Sequence, residues 1–287
     1  MSPGRFRLGC AVWTCPGWLG PVYPRGTRSG DALTRYGERF ETVEGNSVFH
    51  ALPGPDTVAR WAETMPAGFR YVPKLPRDVT HAGLMAPTVH HVHAFLALMA
   101  PLGERLGAIF AQLPASYGPE CLDDLTAFVA AWPEGAPPLM VEVRHRGYFE
   151  QPVAHDLART LVEQGAGRVV LDTRPIFLCD GDPQRDHPRP KPRVPLAAVA
   201  TTSTCMVRYI GHPDLGENER WLPDWAARID RWLRQGRAVY AFCHCPQEQH
   251  SPFIARRLQE LLEERGAPVG ELPWNSLPEP PKQMGLF

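Results

Sequence analysis

With 287 residues, 44% of them hydrophobic and 21% charged, the chain can build one large core, and an α/β barrel of roughly 250 residues fits as a single domain. A formal net charge of -1 excludes the overall basic balance of a protein that coats DNA, so any nucleic-acid contact has to be local. No run approaches the roughly 20 apolar residues of a membrane span, which predicts a soluble, cytoplasmic protein with no membrane partner. The cysteines, at 10, 15, 121, 179, 205, 243 and 245, are odd in number and lack CxxC spacing, which argues against a disulfide framework or a zinc ribbon.

In chain order, short apolar or β-branched runs recur as RLGCAVW, ETVEGN, FRYVPK, GAIFAQL, LMVEVRH, RVVLDT, CMVRYIG and RAVYAFCH. Between most of them lie helical patterns: DALTRYGERF, PDTVARWAETM, PTVHHVHAFLALMAPLGERL, CLDDLTAFVAAW, PVAHDLARTLVEQG, RWLPDWAARIDRWLRQG and SPFIARRLQELLEERG. Strands alternating with helices predict βαβ units and a parallel sheet. Eight such strands predict a TIM-type α/β barrel over residues 5–265, ahead of an open doubly wound sheet, followed by a proline-rich tail over 266–287. No GxGxxG or GxxxxGK[ST] follows a strand, which weakens the nucleotide-fold alternative. After RVVLDT, the segment IFLCDGDPQRDHPRPKPRVP carries too many prolines for a helix and is expected to be an extended loop, with RPKPRVP a solvated basic stretch.

In such a barrel the C-terminal ends of the strands form the face open to ligands. The second strand ends in Glu44 and Asn46, the third in Lys74, the fourth in Gln112, and the fifth in Glu142, Arg144 and His145. Asp172, Arg208 and His244 end the last three. Alternation lets Glu44 with Asn46, and Glu142 with Arg144, share a face. So many charges in one mouth must pair, hydrate or serve a ligand, because an unpaired buried ion costs several kcal/mol. Two chemistries suit the set. Lys74, Arg144 and Arg208 could clamp a phosphate or carboxylate, with Glu142 or Glu44 as base and a histidine as acid. Alternatively Glu44, Glu142, Asp172, His145 and His244 could hold a water-activating divalent ion, although no HxH, HExxH or DxD spacing imposes one. Trp13, Trp18 and Tyr23, after the first strand, could stack on a flat ring or simply pack. His90, His91 and His93 are expected on the outer surface of a helix.

These residues make the chain recognisable. GCAVWTCPGWLGPVYP, FETVEGNSVFHALP, FRYVPKLPRDVTH, GAIFAQLP, VEVRHRGYF, MVRYIGH and VYAFCHCPQEQHSP, in that order, resemble the YecE-like family, a bacterial and archaeal domain of unknown function. The resemblance implies a TIM-like barrel and supports Glu44, Asn46, Lys74, His81, Glu142, Arg144, His145 and Arg208 as motif positions, but it brings no reaction. Where the family often has paired asparagines, this chain has Cys243, His244 and Cys245, and His50 stands where a tyrosine is common. Those departures favour soft metal ligation, with zinc the first ion to test and Glu142, Asp172 and His244 the candidate ligands.

The chain ends in QMGLF, which resembles the peptide that binds the bacterial DNA sliding clamp. Met284, Leu286 and Phe287 are apolar anchors suited to a preformed groove, and Gln283 offers an orienting amide. The preceding ELPWNSLPEPPK is expected to act as a semi-rigid spacer. The alternative is a tail docked on its own barrel. The combined expectation is an enzyme with acid/base or metal-assisted, hydrolase-type chemistry on an anionic substrate, a small phosphorylated molecule or a nucleic acid. Its rival is a binding barrel without chemistry.

Overall fold

The computed structural model describes residues 3–185 and 190–277. Strands β1 (Phe6–Cys10), β2 (Thr42–Gly45), β3 (Arg70–Pro73), β4 (Ile109–Gln112), β5 (Leu139–Glu142), β6 (Gly167–Asp172), β7 (Thr204–Ile210) and β8 (Ala238–His244) coincide with the predicted runs. They pair in parallel in the order β3-β2-β1-β8-β7-β6-β5-β4. The seam between β3 and β4 is narrowed by bridges from Tyr71 to Leu106 and from Lys74 to Phe110. Across it the Leu75 amide donates to the Phe110 carbonyl at 2.8 Å, so the sheet forms a nearly closed barrel.

Helices surround the barrel because their apolar residues recur at helical spacing. The Leu222–Arg234 helix starts with proline in its first turn and buries Leu222, Trp225, Ala226, Ile229, Trp232 and Leu233 on one face. Each large apolar side chain of this kind contributes roughly 1.5–3 kcal/mol through burial. His90, His91 and His93 stand exposed on the Val89–Met99 helix, as its pattern predicts. No helix among the described residues is long and apolar enough to cross a membrane.

Strand alternation separates two cores. Leu8, Val43, Val141, Val170, Val207 and Ala241 point outward to the helices, and Val72, Phe110, Met140, Val169, Met206 and Phe242 fill the barrel. The inward positions two residues further along β3, β4, β5, β7 and β8 are Lys74, Gln112, Glu142, Arg208 and His244, which therefore form the next layer toward the mouth. On β6 the inward residue is Val169, so Asp172 has the outward parity of Val170.

After β6 a single turn, Arg174–Phe177, leads into the proline-rich crossover, and residues 190–201 carry no regular structure. The start of the tail is packed. Leu272 is buried, and the Trp274 ring lies 5.6 Å from Phe40 and 6.1 Å from Phe253. The ELPWN part of the expected spacer is thus docked on the barrel, not held away from it. Gln283, Met284, Leu286 and Phe287 lie outside the described residues.

Candidate active site at the barrel mouth

Arg208, on the long strand β7, is the hub. Its Nε and Nη2 donate to Glu44 Oε2 and Oε1 at 2.6 and 2.8 Å, a bidentate fork, while Nη1 donates to Glu142 Oε2 at 2.6 Å. Arg144 occupies the other oxygen: its Nε donates to Glu142 Oε1 at 2.7 Å, and its Nη2 to Gln112 Oε1 at 2.6 Å. The expected shared face of Glu142 and Arg144 is thus present and becomes an ion pair. His244 Nε2 donates to Glu44 Oε2 at 3.2 Å.

Electrostatics follow from this geometry. Burial by itself would raise the Glu44 carboxyl, but Arg208 and His244 outweigh it and hold the group well below the usual carboxylate range. Glu142 is likewise held low, against its burial, by Arg208 and Arg144. Burial pushes His244 down to about 4, so its contact with Glu44 is a hydrogen bond from a neutral imidazole, not an ion pair. With the proton on Nε2, the buried Nδ1 keeps a lone pair without a partner among the described residues.

Lys74 enters from the end of β3, at the barrel seam. Its Nζ sits 4.2 Å from the centre of the Phe49 ring and 5.8 Å from that of Phe110. Among the described residues no carboxylate lies within ion-pair distance of this ammonium. Burial, with Arg208 adding to it, lowers its pKa to about 7. His81 also stands against Phe49, ring centres 4.9 Å apart, and its Nδ1 shares a 2.8 Å hydrogen bond with Thr80 Oγ1. Burial, then Lys74 and Arg144, push it down to about 4, so it is neutral.

The crossover after β6 supplies a residue expected in solvent. Lys191 is half-buried, and its amine is lowered by burial and by Arg208, with Glu248 and Glu44 opposing. Glu248, just beyond β8, is pushed up to about 7 by burial. Lys191 and Glu248 thus join the mouth from segments whose place between the strands gives no hint of it.

The remaining expected site residues make other contacts. Asp172 does not pair with Arg208. Its Oδ1 accepts from the Arg174 amide at 3.0 Å and from Arg174 Nε at 2.9 Å, and its Oδ2 accepts from Arg174 Nη2 at 2.8 Å and Trp225 Nε1 at 2.7 Å. The outward parity on β6 is the reason. Trp18 and Tyr23 are buried together at 5.7 Å and serve as packing, while Trp13, half-buried, stands against Trp61 and Tyr71 at 5.4 and 6.0 Å. Asn46 Nδ2 donates to the Ala11 carbonyl at 3.0 Å. His145 Nδ1 accepts from the Gly147 amide at 3.1 Å and caps the turn after it.

The donor set does not suit a zinc ion. Among the described residues no three His, Cys, Asp or Glu side chains gather around one point. Glu142 and Asp172 already spend their oxygens on guanidinium and indole donors. Cys243 lies in the outward-facing core, and the Cys245 thiol is pushed up to about 12 by burial, so neither offers a ready thiolate beside His244.

The family model described as "Protein of unknown function DUF72" matches residues 7–281. The chain belongs to this family. The UPF0759 protein YecE of Escherichia coli K12 is 33% identical over 284 residues, covering 98% of this chain and 99% of the relative. A DUF72 protein of Thermotoga maritima has a similar fold, with a TM-score of 0.68 at 20% identity over 90% of this chain and 99% of that one. One from Enterococcus faecalis V583 gives 0.66 at 17% identity over 98% and 100%. The barrel is therefore the DUF72 fold, and the family brings no reaction with it.

Proposed function

We propose that the barrel mouth binds the anionic group of a phosphate-bearing substrate and performs proton-transfer chemistry on it. The observation that supports this is the charge arrangement. Lys74, Lys191, Arg144 and Arg208 meet Glu44, Glu142 and Glu248, and both lysine ammoniums are disfavoured first by burial and then by the neighbouring Arg208, with the carboxylates opposing. An anion would pair with cations that burial and Arg208 together penalise. Arg144 and Lys191, both half-buried, are the groups available to meet it, while Arg208 is committed to its two carboxylates. Glu142, expected from the sequence to be the base, is a poor one with both oxygens on guanidinium groups. Lys74, lowered to about 7, is better suited to exchange protons near pH 7.

The test is calorimetric titration of inorganic phosphate and pyrophosphate, with a turnover screen of sugar phosphates and phosphodiesters. Binding should weaken at least roughly tenfold in Arg144→Gln combined with Lys191→Gln, the size expected for losing charged hydrogen bonds. Unchanged binding in that variant, or none in the wild type, would remove the reading. Binding without turnover would leave a ligand-binding barrel. On its sequence alone, QMGLF is proposed to tether the barrel to the sliding clamp, which favours a nucleic-acid form of the substrate. Equal or absent clamp binding by the full chain and by a variant carrying Gln283→Ala, Leu286→Ala and Phe287→Ala would end that part.

A further inference from the structure

We infer that Lys74 is a nucleophile that forms an imine with the carbonyl carbon of a small, phosphate-bearing aldehyde or ketone. This deepens the anion-binding reading and rests on it for the phosphate.

The first support is compositional. The chain carries 30 lysines and arginines, and only Lys74, Lys191 and Lys282 are lysine. Two of those three face one mouth. Where a position needs only positive charge, arginine serves, and this chain uses it almost everywhere. Arginine cannot lose its proton at any physiological pH, and its guanidinium does not add to carbonyls as a free amine does. Lysine at the end of β3 therefore points to a task that requires a removable proton or a nitrogen lone pair.

The second support is geometric. Lys74 is only 7% exposed, and its Nζ is walled by the Phe49 and Phe110 rings. Apolar walls favour the neutral amine and shield an imine from hydrolysis. Arg208, locked by three hydrogen bonds, maintains a positive field on the amine. At neutral pH the depressed Lys74 offers roughly a thousandfold more free amine than an ordinary lysine.

The step balances without another reagent. The Nζ lone pair attacks the carbonyl carbon, the carbonyl oxygen takes a proton, and a carbinolamine forms. The nitrogen then loses its remaining proton while the hydroxyl leaves with one as water, so amine and carbonyl give imine and water. His81, neutral and packed on Phe49, is the nearby group able to carry protons between these atoms.

The experiment is reductive trapping. The full chain is incubated with glycolaldehyde phosphate or with glycolaldehyde, reduced with sodium borohydride, and mapped by peptide mass spectrometry. The expected result is a secondary-amine adduct confined to the Lys74 peptide, formed at roughly tenfold lower concentration of the phosphorylated aldehyde and suppressed by inorganic phosphate. Its rate should reach half its maximum near pH 7. Label spread evenly over Lys74, Lys191, Lys282 and the N-terminus would overturn the inference. So would absence of label in a protein that still binds phosphate by calorimetry, and that result would leave the anion reading standing. Absence of both label and phosphate binding would overturn both. Lys74→Arg should lose the label while still binding phosphate; if it fails to fold, the peptide map of the wild type decides.

Discussion

Two buried carboxylate–guanidinium arrangements end neighbouring strands of this barrel, and they differ in how their charges balance. At β6, Asp172 meets Arg174 two residues away, and Trp225 completes its hydrogen bonds. The charges cancel locally, the partners are close in sequence, and the group faces the helices. At the mouth, Arg208 gathers Glu44 and Glu142 across the barrel, Arg144 and Gln112 extend the chain of contacts, and Lys74 and Lys191 remain without a carboxylate partner among the described residues. A balanced pair needs nothing further and serves packing. In the unbalanced cluster, burial and Arg208 favour the neutral form of Lys74, which relieves part of the excess positive charge.

Arg208→Met puts the greatest load on this contrast. It leaves Glu44, 0% exposed, with only the neutral His244, and Glu142, 1% exposed, with only Arg144, so the loss should be about 3–5 kcal/mol in chemical denaturation. A loss below about 1 kcal/mol would mean that Glu44 and Glu142 reach water, and the network would not be the buried hub described.

Lys74→Met addresses the unbalanced half. An ordinary lysine has a pKa of about 10.4, and this one is about 7 in the fold. Between those values the unfolded chain holds a proton that the folded chain has lost, so stability rises with pH. Below pH 7 both states are protonated and the full cost of the buried ammonium stands. The variant should therefore gain most over wild type below pH 7, with the difference shrinking by up to about 1.4 kcal/mol per pH unit toward pH 10. Parallel pH profiles for the two proteins would refute the depressed amine.

Arg174→Met tests the balanced half. Asp172 would keep the Arg174 amide and the Trp225 indole, so the cost should be smaller, on the order of 2 kcal/mol. Phosphate affinity, followed by calorimetry, should not change. A drop in affinity would show that the β6 pair belongs to the site after all.

The weakest response is expected on the outer surface. Arg257 reaches Glu219, Glu260 and Glu264 at 2.7, 3.3 and 2.9 Å, more carboxylates than Arg208 holds, yet it lies on the exposed side of the Ser251–Glu264 helix. Solvent screens those pairs, and Arg257→Ala should cost less than about 1 kcal/mol in chemical denaturation, with the difference from wild type shrinking further as salt is added.

Much of this was legible in the sequence, and for a local reason. Strand and helix periodicities are properties of a few consecutive residues, so the eight strands, the helices between them and the exposed histidines on Val89–Met99 could be read directly. The same local rule placed Glu142 with Arg144 and brought Glu44, Lys74, Gln112, Arg208 and His244 to one end of the barrel. It failed at Asp172, because parallel strands are buried on both faces and RVVLD is apolar in either register. Only closure of the barrel decided which side of β6 faces in. Pairing also required the tertiary structure: Arg208 and Glu44 are 164 residues apart, and nothing in either neighbourhood names the other. Lys191 is the clearest case, since a proline-rich basic loop reads as solvated until the crossover returns it to the mouth, where burial and Arg208 lower its amine. Residue order alone set which charged groups stand at the strand ends. The fold decided which of them neutralise one another, because a charge is balanced by the groups near it in space, not by its neighbours along the chain.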